Sequence, residues 1–169
     1  RRLYPGGAGA MIGCHSRLAD QRMLAALEKR DLESLRVRER IALAVQVRLE
    51  QATGDREAIR RGLSLLALPV NAPLASRLLY RTVDAMWLAA GDNATDYNYY
   101  TKRALLAGVY SLVVLYWLND RSEGCADTWS FLDRRLADAM KAPKLMAAPA
   151  RLFHYFPNPA KFFRRRAKW

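Results

Sequence analysis

Apolar residues recur at helical spacing along most of this 169-residue chain, and the glycines and prolines fall mainly between those runs. Positions i, i+3 and i+4 share one face of a helix, so each run predicts an element. The first covers about Cys14 to Lys29, with Leu18, Met23, Leu24 and Leu27 on its apolar side. A second covers about Leu35 to Ala52, where Val37, Ile41, Val45 and Leu49 form a row. Arg36, Arg38, Glu39, Arg40, Arg48 and Glu50 are expected to solvate its other side. Thr53-Gly54-Asp55 ends that helix and caps a third, running to Leu68. Leu68-Pro69-Val70-Asn71-Ala72-Pro73 is the next break, because a proline disfavours helix in the residue before it.

The fourth helix has the most regular stripe, from Ala75 through Leu78, Leu79, Thr82, Val83, Met86 and Trp87 to Ala90, with Gly91 as its stop. Thr95 or Asp96 then caps a fifth helix that reaches Leu118. After Arg103 this helix is uncharged and apolar on nearly every side, which predicts a central, fully surrounded element. A sixth, from about Ala126 to Lys141, is expected to bury Trp129, Leu132, Leu136 and Met140. Prolines at 143, 149, 157 and 159 divide the remainder into short pieces, with possible helices at 149–156 and 159–168. The pattern reads as all-α, with a helical bundle at 1–142 and a distinct tail at 143–169.

Composition sharpens this picture in three places. Leu, Ala and Arg outnumber Val, Ile and Thr, which favours helix because straight side chains lose little freedom there. The net charge of +12 belongs to the tail: Lys141 to Trp169 hold eight Lys and Arg and no acid, and the preceding residues carry 20 basic and 16 acidic groups. Any anionic surface is therefore expected to meet the tail. Cys14 and Cys125 are isolated, without ligand spacing to His15 or His154, so neither a disulfide framework nor a metal site is expected. The run from Ala104 to Leu118 is shorter than the ~20 residues a membrane-spanning helix requires. A start at Arg1 in place of Met points to a fragment or a processed product.

Candidate chemistry is sparse. Gly7-Ala8-Gly9-Ala10-Met11-Ile12-Gly13 has the wrong spacing for a dinucleotide-binding loop and no strand before it, so a glycine-rich turn is the expectation. Asp84 and Asp96 are better read as solvated or capping than as a catalytic pair. No catalytic residue, cofactor or metal is assigned.

Two segments favour binding. At Asp96, Tyr97, Tyr99, Tyr100, Lys102 and Arg103, tyrosines and paired charges open a helix. They are either half-packed around its positive end or a partner surface, since Tyr supplies contact area with few rotors. In the tail, Phe153, Phe156, Phe162, Phe163 and Trp169 lie among Arg164, Arg165, Arg166 and other cations. Aromatics that prefer the headgroup boundary beside cations that attract anionic lipid make a membrane contact the leading reading. Docking back on the bundle and RNA binding are the alternatives.

Residues 91–103, Leu106-Ala107-Gly108-Val109-Tyr110 and Asp127 to Arg135 resemble the signature of the coenzyme Q biosynthesis accessory protein family numbered nine in that pathway. Weaker matches are Leu3 to Gly7, Arg36 to Ile41, and Leu65 to Pro69 followed by Asn71-Ala72-Pro73. The resemblance implies a TetR-like helical bundle, usually dimeric, with no catalytic activity and an interior that binds isoprenoid quinone intermediates or phospholipid. It further implies presentation of substrate at the membrane to the di-iron hydroxylase of demethoxyubiquinone. The hydroxylase-contacting patch would be Met86, Asp96, Tyr99, Tyr100, Lys102 and Arg103, and the lipid-lining residues Leu78, Val83, Trp87, Leu105, Val109 and Leu112. Tyr99 stands where many members carry Trp, the tail is proline-broken where members have an amphipathic last helix, and the family's helix-turn-helix-like N-terminal portion lies outside this sequence. A homodimer is expected, and nucleic acid is not. The Arg- and Ala-rich composition favours a bacterial source, with the protein on the cytoplasmic face of the inner membrane; in an organelle it would lie on the mitochondrial matrix side. The runner-up is the effector-binding domain of a TetR-like transcription regulator.

Overall fold

A computed structural model describes residues 6–92 and 97–146, and they form six α-helices with no strand among them. These are α1 (Gly7–Leu27), α2 (Val37–Gln51), α3 (Arg56–Leu66), α4 (Ala72–Ala89), α5 (Tyr97–Trp117) and α6 (Ala126–Met146), with short 3-10 turns at Thr53–Asp55, Pro69–Asn71 and Glu123–Cys125. The chain divides into two compact units, Arg1–Leu136 and Ala137–Trp169. Helices α1 to α5 and the first part of α6 belong to the first.

The expected helices are present with shifted ends. α1 begins at Gly7, so the glycine-rich segment is the first two turns of a helix and neither a turn nor a loop. Ala8, Ala10 and Met11 favour that state, and the glycines permit close packing. A Cβ at Gly9 would stand 3.1 Å from Leu74 Cδ2, so its absence lets α1 lie tightly on the start of α4. α6 runs through Pro143 to Met146, past the predicted stop at Lys141. A proline removes one backbone donor, which a long helix can carry near its end.

The core is built where α1 meets α2 and α4, and where α4 meets α5. Met23 and Leu27 of α1, Ile41, Val45 and Leu49 of α2, Val83 and Met86 of α4, and Leu106, Val113 and Trp117 of α5 are buried. Each large side chain removed from water contributes about 1.5–3 kcal/mol before the entropy of ordering is charged against it. Leu132 and Leu136 of α6 are also buried and Trp129 half-buried, whereas Met140 is exposed.

Two expectations about faces are corrected. Arg48 does not reach solvent. It lies inside the bundle, donating from Nε to Asp20 Oδ1 at 3.0 Å and from Nη2 to Thr82 Oγ1 at 3.2 Å. Its apolar neighbours Val47 and Leu49 are buried too, so α2 is enclosed over a wider arc than the period alone marks. Nor is α5 surrounded on every side: Leu112, Leu115 and Tyr116 are exposed on one face. Tyr116 stacks on Phe131 of α6, with ring centroids 4.6 Å apart.

The stop at Gly91 is the joint that sets up the site. Gly91 has φ +81°, its N–H donates to Leu88 O at 3.0 Å, and Asp92 N–H donates to Trp87 O at 3.0 Å, completing a Schellman cap. Arg40 of α2 donates to Ala90 O at 3.1 Å and to Leu35 O at 2.9 Å, clamping the same turn. A Cβ at Gly91 would stand 3.2 Å from Arg40 Nη1. Gly91→Ala is therefore expected to lose about 1–2 kcal/mol of stability in urea unfolding, from left-handed strain plus displacement of the arginine. A loss below about 0.3 kcal/mol would show that the turn relaxes freely.

Candidate partner-binding site at the start of the fifth helix

α4 ends and α5 begins on either side of the Gly91 turn, and this brings Asp84 of α4 and Asp92 of the turn to Lys102 and Arg103 of α5. Arg103 is almost wholly enclosed, its side chain 3% exposed. It donates from Nε to Asp84 Oδ1 at 2.7 Å and from Nη1 to Asp92 Oδ2 at 3.4 Å. Lys102 donates to the other oxygen of Asp92 at 2.8 Å. Two carboxylates against two cations leave the cluster neutral, so charges that would be costly to enclose singly are compensated.

Tyrosines cover this frame. Tyr99 donates its hydroxyl to Asp84 Oδ1 at 3.2 Å and lies 3.0 Å from the Tyr80 hydroxyl. The Arg103 guanidinium sits 3.3 Å from the Tyr99 ring centre, and Lys102 lies over the Trp87 ring at 5.6 Å. The Tyr99 phenol is pushed up to about 12, first by its hydrogen bond with Tyr80, then by desolvation and by Asp84. It stays a neutral donor across physiological pH. Tyr100 meets Tyr99 edge-on at 5.1 Å and projects outward, 69% exposed.

The six residues assigned to a partner surface therefore separate. Tyr100 is the outward ring, with Tyr99 and Lys102 partly accessible beside it. Met86 is fully buried and Arg103 nearly so; neither offers surface to a partner, and both lie beneath the tyrosines. Asp96 lies outside the described residues. Asp92 and Tyr80, which the sequence left unassigned, complete the frame with Asp84, which is neither solvated alone nor a cap but paired with Arg103. Their signal is legible in retrospect: Asp84 is the one acid in the apolar run of α4, and Arg103 the last cation before the apolar run of α5.

Among the described residues of this cluster both carboxylates, Asp84 and Asp92, are held by cations. Among the described residues no group of His, Cys, Asp and Glu is arranged to hold a metal ion. The six apolar residues assigned to lipid are divided. Val83, Val109 and Leu78 are buried in the core, Trp87 and Leu105 are half-buried, and Leu112 is 51% exposed. An open groove of about 520 Å³ lies elsewhere, lined by Glu50, Arg56, Asp120, Arg121 and Trp129 among others. Phe153, Phe156, Phe162, Phe163, Arg164, Arg165, Arg166 and Trp169 all fall outside the described residues.

A family model named COQ9 matches residues 72–143, which cover α4, α5 and most of α6. The chain is COQ9-like. It is 47% identical over 97 residues to the ubiquinone biosynthesis protein COQ9, mitochondrial, of Rattus norvegicus, covering 57% of this chain and 31% of that protein. The corresponding protein of Drosophila melanogaster is 28% identical over 158 residues, 91% of this chain and 48% of its own. The probable ubiquinone biosynthesis protein coq9, mitochondrial, of Dictyostelium discoideum is 32% identical over 117 residues, 69% and 38%. The chain thus spans about a third of the length of the mammalian COQ9 proteins it matches. The fold is TetR-like: a TetR transcriptional regulator from Nitrosomonas europaea superposes with a TM-score of 0.66 at 26% identity, covering 82% of this chain and 76% of that one. The COQ9-like segment begins with α4, so it contains the whole Asp84–Asp92–Lys102–Arg103 cluster and the tyrosines above it.

Proposed function

We propose that this chain is a non-catalytic lipid-binding module of ubiquinone biosynthesis. It holds an isoprenoid quinone intermediate or a phospholipid and presents substrate to the demethoxyubiquinone hydroxylase at a membrane. The observation that carries the reading is the exposed Tyr100 on a rigid, charge-neutral frame within the segment most similar to COQ9. A rigid aromatic that projects from an ordered base loses little entropy on binding. The mitochondrial names of the relatives support a location in that organelle, and the proposal puts the chain on its matrix side. The exposed apolar face of α5 supports a homodimer. In this reading the basic, aromatic tail touches the anionic membrane.

A second reading, the effector-binding domain of a transcription regulator, is supported by the TetR-like superposition. Organic extraction of the purified chain followed by mass spectrometry separates the two. Lipid carriage predicts a quinone, isoprenoid or phospholipid at near equimolar amount. Protein that emerges empty and takes up no added lipid would defeat the carrier reading and leave the regulator.

A further inference from the structure

The stretch from Ala58 to Val83 contains four arginines, Arg60, Arg61, Arg77 and Arg81, and no acid. Within it Gly62 to Ser76 carry no charge at all. The fold turns this uncharged centre into a corner, because α3 with its preceding turn meets α4 with its own at a 98° bend. At the tip, Leu68 is 50% and Val70 82% exposed. None of the residues of α3 is buried, although Ile59, Leu63 and Leu66 share its apolar side.

The backbone of the corner is internally paired. Ala67 N–H donates to Leu63 O at 2.9 Å, Leu68 N–H to Leu65 O at 3.2 Å and Asn71 N–H to Leu68 O at 2.8 Å. The Asn71 side-chain amide donates to Leu65 O at 2.8 Å. Pro69 and Pro73 have no N–H to satisfy. A segment that enters a low-dielectric boundary gains from bringing polar groups already bonded, and these four donors are. Arg77 and Arg81 of α4 are exposed, and so is Arg61 of α3, which shares its charge with Glu57 one turn back. Apolar residues at a tip with cations set back on either side suit a surface that is oily beneath and anionic at its edge.

We propose that the corner from Gly62 to Ser76 is a membrane-contact element, seating Leu68 and Val70 at the headgroup boundary of an anionic bilayer with the flanking arginines on lipid phosphates. It acts without the C-terminal tail and does not rest on lipid carriage by the bundle. No single described helix is long and apolar enough to cross a membrane, and none is needed for this contact.

The test uses the full chain with phosphatidylcholine vesicles prepared with and without phosphatidylglycerol. Leu68→Asp/Val70→Asp should raise the apparent Kd for the anionic vesicles about tenfold or more, because two apolar contacts are lost and two repelling charges added. The melting curve should not change, since both side chains are exposed. In the unsubstituted protein, amide hydrogen exchange over residues 62–76 should slow when anionic vesicles are added; this readout decides the matter should the double variant misfold. Vesicle affinity equal to the parent's, or exchange over 62–76 indifferent to vesicles, would overturn the proposal. A change in oligomer size with vesicle affinity intact would assign the corner to a protein partner instead.

Discussion

Arg48→Ala should destabilise the protein by about 3–5 kcal/mol, among the largest effects available to a single side chain here. The guanidinium holds Asp20 at 2.8 Å in a place where both side chains are about one-tenth exposed. Thr82 also donates to Asp20 Oδ1, at 3.0 Å. Removing the arginine leaves a carboxylate enclosed with a single hydroxyl donor, which is far costlier than losing an exposed pair. Arg61→Ala is the control, since its bond to Glu57 lies in solvent and should contribute at most about 1 kcal/mol. The double variant Arg48→Met/Asp20→Leu should recover most of the loss, because a buried pair replaced by apolar groups of similar volume is often neutral. Urea unfolding of the three variants reads these differences. A cost near 1 kcal/mol for Arg48→Ala would mean that solvent reaches Asp20.

If the chain binds the hydroxylase as proposed, Tyr100→Asp and Arg103→Ala should both weaken that binding, but by different routes. Tyr100 projects into solvent, so its replacement should leave stability within about 0.5 kcal/mol while lowering affinity about thirtyfold or more, as loss of an aromatic anchor does. Arg103 sits beneath, bridging Asp84 and Asp92. Arg103→Ala should cost about 2–3 kcal/mol of stability, less than Arg48→Ala because Asp84 is partly solvated and Lys102 still holds Asp92. Its affinity should fall because the ring platform loosens. Arg103→Lys should rescue little, since an ammonium cannot fork between two carboxylates and stack on Tyr99 at once. Co-purification of Tyr100→Asp with the hydroxylase at the parental level would remove the interface claim.

The helices themselves were legible because their apolar positions repeat and glycine or proline marks most of their ends. Gly91 was read as a stop, and the structure shows the positive φ and the two cap bonds that make it one. Burial of charge was not legible. Arg48 follows Ala44 by four residues and Val45 by three, on the apolar side of α2, yet its charge argues for solvent, and only Asp20 from α1 and Thr82 from α4 make it an inside residue. Arg103 is a similar case: the sequence placed it correctly at the head of α5 but could not say that Asp84 and Asp92 would draw it beneath the tyrosines. The exposed side of α5 was missed for the opposite reason. Uncharged composition marks a helix as apolar without saying how fully its neighbours cover it, and Leu112 and Leu115 stay about half exposed.

The far end of α5 depends on residues that precede it by some sixty positions. Arg60 donates to Leu118 O at 2.6 Å and Arg56 to Asp120 O at 2.9 Å, while the Arg56 guanidinium lies 4.6 Å from the Trp117 ring centre. Cations at a helix C-terminus offset its partial negative charge. Such contacts close a long loop and belong to the slow, non-local part of folding. A chain emerging from the ribosome therefore shows α3 before there is anything for its arginines to cap, and these two caps form only when α5 has been made in full.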